Sequence, residues 1–235
     1  MTLVRQRPAI LGLMILFLIA IVANLMGLFP STLPVFAPAC RQDYLLIVDP
    51  GHGGEDGGAV SVSGVAESGI NLAISLKCKD LAGLYGIPIQ LLREEDRSLA
   101  LAEAQTLREK KRSDLDQRAS LINETDNALL LSIHQNFFDQ PEYSGAQVFF
   151  RPEQESYLWG CLTQDLLRRC LDSDNRRLPK EVPDDLYLMS NTSCPAILVE
   201  CGFLSIPEED RLLQTDDYQT RLAVVLIGSY LSKWY

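Results

Sequence analysis

LLIVDPGHGGEDGG, residues 45–58, is the stretch from which the fold can be read. Leu45 to Val48 have the composition of a buried strand, and Asp49-Pro50-Gly51 halts it. His52 follows on a glycine-rich loop just past the strand's C-terminal end. Open α/β sheets bind their ligands outside the carboxyl ends of strands, so chemistry is expected at this loop. The same grammar recurs twice. Ala128–Ile133 (ALLLSI) leads into His134, the second of only 2 histidines. Ala196–Val199 (AILV) leads into Glu200. Three apolar strands therefore each deliver one ionisable side chain to what should be one edge of a sheet.

Toward the N-terminus, Arg5 and Arg7 precede Ala9–Phe29, an apolar run whose strongly polar member is Asn24. About 20 apolar residues span the hydrocarbon core of a bilayer. The positive flank places residues 1–8 in the cytoplasm and the rest outside. The expected layout is a cytoplasmic tail (1–8), a transmembrane anchor (9–29), a proline-rich linker (30–42) and a domain from 43 to 235. The alternative is a cleaved signal segment and a secreted protein, for which the apolar run is long. Phe36-Ala37-Pro38-Ala39-Cys40 offers a cleavage or lipidation site, without a convincing leucine at the right place. Outside the anchor, 19 of the 21 basic residues face 31 acidic ones, a net charge of −12. Nucleic acid is a poor partner at that charge, and any anionic polymer must be recognised locally. The 6 cysteines form no C-x-x-C pair and no compact framework, so buried thiols are expected.

Between the motifs, strands and helices alternate. Glu67 opens a helix with Ile70, Ala73, Ile74, Cys78, Leu81 and Tyr85 facing the sheet. Gly86 closes it, and Ile87–Leu92 is the next strand, paired in parallel through a right-handed crossover. Arg93–Arg112 reads as a surface loop or an exposed helix. Its cations Arg108, Lys110, Lys111 and Arg112 read as a solvated face rather than a substrate contact. Asp114–Asn123 is a short helix with Leu115, Ala119 and Ile122 inward. Ala146–Phe150 is a strand, Glu153–Leu171 a helix, Asp172–Asp185 a loop and Leu186–Met189 a short strand. Tyr218–Trp234 is a final helix with Ala223, Ile227, Tyr230 and Trp234 on one side. The pattern predicts one three-layer α/β domain with a mostly parallel central sheet flanked by helices.

Several chemistries fail on residue type. There is no G-x-S-x-G for a serine nucleophile and no Gly-Lys-Ser/Thr for a phosphate loop. A G-x-G-x-x-G starting at Gly51 would need glycine where Asp56 stands, so no nucleotide cofactor is expected. A catalytic zinc site fits better, because two histidines and a carboxylate are a known ligand set that leaves one position open. Glu67 and Glu200 both compete for the carboxylate role. One would complete the metal shell while the other takes and returns a proton. Spacing alone does not decide between them. Asp49 reads as a turn residue ending its strand, with orientation of a ligand as the alternative.

DPGHGGEDGGA, Glu67 followed by Asn71-Leu72, SIHQN and VECGFLS together resemble the zinc-dependent N-acetylmuramoyl-L-alanine amidases of the type 3 family. The resemblance covers about residues 44–233. It implies that His52, Glu67 and His134 bind zinc and that Glu200 is the catalytic carboxylate. It implies peptidoglycan as substrate, cleaved between the lactyl group of N-acetylmuramic acid and L-alanine. The short anchored form, with REED at Arg93–Asp96 and YLM at Tyr187–Met189, is similar to amidases of spore-forming bacteria that act on cortex. Asn136 is a candidate substrate contact. Gln135, Cys201 and Ile206 depart from the family pattern, which usually has small or apolar residues at the first two positions and Asn at the third. A zinc peptidase acting within the stem peptide, or a non-catalytic wall-binding protein, would share the same fold.

Overall fold

The glycine-rich stretch and its two counterparts lie side by side at the centre of one sheet. The computed structural model describes Phe17 and residues 43–138 and 143–233. The expected anchor, Phe17 excepted, lies outside the described residues, as do the linker, Cys40 and Trp234. No described helix is long and apolar enough to cross a membrane.

In chain order the elements are β1 (Leu45–Pro50), α1 (Glu67–Leu84), β2 (Ile89–Leu91), α2 (Leu107–Asn123), β3 (Ala128–Asn136), β4 (Gln147–Phe150), α3 (Gln154–Cys170), β5 (Lys180–Glu181), α4 (Tyr187–Ser190), β6 (Ala196–Phe203), α5 (Pro207–Leu213) and α6 (Asp216–Ser232). The six strands run in the order β2-β1-β3-β6-β4-β5. All neighbours are parallel except β4 and β6, which are antiparallel. The sheet is therefore mostly parallel, as the sequence predicts.

Period-two alternation divides the core into two faces. Leu46, Val48, Leu129, Leu131, Ile133, Ile197 and Val199 pack on one side with Ile74 and Cys78 of α1, Trp159 of α3 and Leu222, Leu226 and Tyr230 of α6. Ile47, Leu130, Ala196 and Leu198 pack on the other with Ala119 and Ile122 of α2 and Leu188 and Met189 of α4. Each fully buried Leu or Ile contributes about 2 kcal/mol through removal of apolar surface from water. Three long helices cover the first face, while α2 and the four-residue α4 cover the second.

Local signals explain the ends of the helices. Gly86 adopts φ 64, the left-handed conformation that closes a helix at low steric cost, and Ile87 N–H reaches back to Ala82 O at 3.0 Å. Thr106 and Glu109 form a capping box that starts α2, with Thr106 N–H donating to Glu109 Oε2 at 2.9 Å. Ile206 takes the N-cap of α5 without a side-chain bond, and Pro207 with Glu208, Glu209 and Asp210 in the first turn favours that terminus instead.

Four expectations are corrected. Leu186–Met189 is not a strand, because Tyr187–Ser190 forms one helical turn. The Asp172–Asp185 loop contains the short strand β5, hydrogen-bonded to β4. Tyr85 is the C-cap of α1 and stands 47% exposed instead of facing the sheet. Among the thiols, Cys78 and Cys201 are buried and Cys161 and Cys194 partly so, but Cys170 is exposed, and all five are free.

Candidate active site

On the face beneath α2 and α4, the strands change from apolar to polar at one level. Ile47, Leu130 and Leu198 form the floor, and Asp49, Ser132, His134 and Glu200 follow them toward the C-terminal ends. The register places Asp49 beside Ser132 and His134 beside Glu200. His134 and Glu200 thus lie within β3 and β6, not just beyond them, because both strands continue past the apolar runs.

His52 sits on the loop after β1 with φ 61, a left-handed conformation uncommon for a residue with a side chain. Two buried arginines hold this backbone. Arg93 Nε donates to Pro50 O at 3.0 Å and His52 O at 2.7 Å, and its Nη2 to Gly51 O at 3.0 Å. Arg118 Nη1 donates to Pro50 O at 3.0 Å and Nη2 to His52 O at 2.7 Å. Asp49 is neither a simple turn residue nor a histidine partner. It is buried, ion-paired to Arg118, and accepts from Ser132 Oγ at 2.7 Å. Two glycines make room for the site. A Cβ at Gly51 would lie 2.2 Å from the His134 ring, and one at Gly58 would lie 2.5 Å from Glu67 Oε2.

Glu67, the first residue of α1, bridges the two histidines. Its Oε2 lies 3.3 Å from His52 Nε2 and its Oε1 3.1 Å from His134 Nδ1. The imidazoles stand edge to face with centroids 5.1 Å apart. One donor atom from each of the three residues lies within 4.8 Å of the others, so the three can hold one metal ion. The other nitrogen of His52, Nδ1, donates to the Asp56 carboxylate at 3.0 Å, which leaves Nε2 directed at Glu67. Glu67 also accepts from Ala59 N–H at 3.0 Å, Gln135 N–H at 3.0 Å and Asn71 Nδ2 at 3.1 Å. Gln135 Nε2 in turn fixes Asn71 Oδ1 at 3.1 Å.

Charge follows from this packing. Burial opposes ionisation of Glu67, but its hydrogen bonds to His134 and His52 outweigh it and hold the carboxyl well below the carboxylate range. Burial likewise opposes charge on His52, yet its bonds to Asp56 and Glu67 raise it to about 9. Glu200 behaves in the opposite way. Burial dominates and lifts its carboxyl to about 7, and its Oε2 is buried without a hydrogen-bond partner. An orphaned acid beside a cluster of metal-ligating donors can exchange a proton with something that enters the site.

A cavity of about 360 Å³ opens over these groups, walled by His52, His134 and Glu200, by Lys111 and Leu115 of α2, and by Tyr187 and Leu188 of α4. The Tyr187 hydroxyl donates to Asp116, and Arg112 stacks 4.0 Å above the Tyr187 ring, which ties α4 to α2. All four principal candidates from the sequence converge here. Asn136, at the end of β3 past a register shift, does not line this cavity. Sequence reasoning missed the roles of Asp56, Asn71, Arg93 and Arg118. The spacing of Asp114 and Arg118 at i, i+4 was a weak pointer to an ordered arginine.

The profile of the family described as N-acetylmuramoyl-L-alanine amidase matches residues 46–227. A germination-specific N-acetylmuramoyl-L-alanine amidase of Bacillus subtilis is 36% identical over 180 residues, covering 76% of this chain and 75% of that protein. Among solved structures, the CwlD amidase of Clostridioides difficile, determined in complex with the GerS lipoprotein, superposes with a TM-score of 0.78 at 36% identity, covering 81% of this chain and 98% of the other. A second amidase of Clostridium difficile gives a TM-score of 0.70 at 26% identity over 82% of this chain and 97% of its own. The match spans β1 to α6 and contains the histidine–glutamate cluster with its neighbouring acid: the chain belongs to the N-acetylmuramoyl-L-alanine amidase family.

Proposed function

We propose that this enzyme hydrolyses the amide between N-acetylmuramic acid and L-alanine by means of zinc held by His52, Glu67 and His134, with Glu200 as proton carrier. The observation that carries the reading is the convergence of the three donors within 4.8 Å beside a carboxyl whose Oε2 is buried without a hydrogen-bond partner among the described residues. Two imidazole nitrogens and one carboxylate suit zinc. Zinc bound there would supply Lewis-acid chemistry at neutral pH.

The protein's own groups do the remaining work. Asp56 accepts from Nδ1 of His52, so that Nε2 would lose its proton on binding zinc. Asn71 and the Gln135 N–H hold Glu67 in a single orientation. Glu200 takes a proton from the attacking water and delivers it to the departing L-alanine amine. Its carboxyl at about 7 makes both transfers accessible near neutrality. The two strands that present His134 and Glu200 fix the distance between the metal site and the proton carrier.

The germination-specific relative, together with REED at Arg93–Asp96 and YLM at Tyr187–Met189, supports a role on spore cortex. The apolar run 9–29 with its arginine flank supports a single-pass anchor with the domain on the outer side. The deciding experiment is digestion of purified muropeptides by the full-length enzyme, followed by identification of the new termini. Free L-alanine amino groups are expected, lost on chelation and regained with zinc. Cleavage within the stem peptide would replace this reading with the peptidase alternative.

A further inference from the structure

Beyond Glu200 the sheet continues into β4, and on the loop between α3 and β5 a cation without a carboxylate partner stands beside it. Gln147 lies opposite Glu200 in register, so both side chains share the cavity face. The Gln147 carboxamide accepts from Arg177 Nη1 and donates to Leu178 O at 2.9 Å. Arg177 Nε donates to Ser144 O at 2.9 Å, and its guanidinium stacks 4.7 Å from the centre of the Phe203 ring. Neutral groups thus position it. Among the described residues no carboxylate lies within 4.0 Å of Arg177, and its Nη2 meets no acceptor. Glu209, the acid acting most strongly on it at longer range, accepts instead from Phe203 N–H at 2.7 Å and Gly145 N–H at 2.9 Å. The cations on the opposite side of the site differ, since Lys110 pairs with Glu55 at 2.6 Å and Lys111 with Asp56 at 3.4 Å.

The direction of the reaction assigns the two sides. Glu200, which in that reading returns its proton to the leaving amine, stands between the metal-ligand cluster and Gln147, so a peptide half carried away from the cluster runs over β6 toward β4. The glycan half then lies over β1. We propose that Arg177 forms a carboxylate subsite that binds the free acid of the residue following L-alanine in the stem peptide. The subsite rests on the amidase reading above. A planar guanidinium held by neighbours loses little freedom on binding and matches a carboxylate with two parallel donors. Gln147 links the subsite to the strand that faces the proton carrier, so a peptide docked on Arg177 is held in register with Glu200.

The test compares the full-length, zinc-loaded enzyme on two substrates whose γ-carboxyl is blocked as a methylamide, N-acetylmuramoyl-L-alanyl-D-glutamate and its α-amide, N-acetylmuramoyl-L-alanyl-D-isoglutamine, which then differ in the α-carboxylate alone. The unmodified enzyme should favour the acid by about tenfold in kcat/KM, mainly through KM, as a charged hydrogen bond predicts. Arg177→Gln should abolish that preference, and Arg177→Lys should retain part of it. Zinc content and Tm establish that both variants are folded. An unchanged acid-to-amide ratio in Arg177→Gln, or no preference in the unmodified enzyme, overturns the subsite and leaves the amidase intact. Failure of the unmodified enzyme to cleave either substrate overturns both.

Discussion

Glu200 shows how a position in a sheet sets a chemical role. Its strand carries it beneath α4, half-buried in the wall of the cavity, with His134 in register on one side and Gln147 on the other. Desolvation raises its carboxyl to about 7, while Glu67, only a strand away, is held ionised by two histidines. Two glutamates of the same intrinsic acidity are thereby set apart, one as a fixed anion and the other as the group suited to carry a proton in the proposed reaction. Replacing Glu200 by Gln should lower kcat roughly a thousandfold, the range for loss of a general acid–base group. Zinc content should be unchanged, because Glu200 is not one of the three clustered donors; a metal-free variant would place it in the shell instead. His52, His134 and Glu200 are visible in the sequence because each follows an apolar run. Glu67 is less so, since an acid at a helix N-terminus has an ordinary dipole explanation, and only the family resemblance divided the metal and proton roles between the two glutamates.

At the scale of elements, α2 reaches across the sheet to stabilise the loop that bears His52. Arg118 is its means, paired to Asp49 below and to Asp114 one turn back on its own helix at 2.6 Å. Burial opposes charge on Asp49, but Arg118 together with His134 and the Ser132 hydroxyl outweighs it and holds the carboxyl under its ordinary value of 3.8. The ionised form therefore stabilises the fold above that ordinary value, and the contribution is lost as pH falls through the lower folded-state value. Asp49→Asn leaves the Arg118 charge buried and should cost about 3 kcal/mol at neutral pH. Its Tm should also fall less steeply on acidification below pH 4 than that of the unmodified protein. An acid limb identical in both proteins would show that the pair does not couple to folding. None of this could be read from LREKKRSDLDQR, where every charge has a solvated reading. The start of the helix could have been, because Thr106 and Glu109 spell a capping box. The turn YLMS was misread for a different reason. Four residues are too few to separate a helical period from an alternating one.

For the whole molecule, the alternation of strands and helices was enough to predict the layers and the predominantly parallel sheet. It could not predict the reversal of β4, because buried strands of either direction read alike. The two faces also carry different duties. The face under α1, α3 and α6 is apolar along the length of the strands, and the face under α2 and α4 gives up its apolar floor to make the cavity. If residues 9–29 anchor the enzyme, deletion of residues 1–42 should move it from the membrane fraction to the soluble fraction with kcat on muropeptides unchanged. Recovery of the shortened protein still in the membrane fraction would show that attachment lies elsewhere.

The grip of Arg93 and Arg118 on successive carbonyls has one more outcome. The turn carrying His52 is clamped from beneath by guanidinium groups that need no ion to stay in place, so the imidazole waits in a posture already suited to ligation. Capture of a cation then demands little rearrangement. If the cluster holds zinc as proposed, the same stiffness would let the metal leave and return without refolding of the turn.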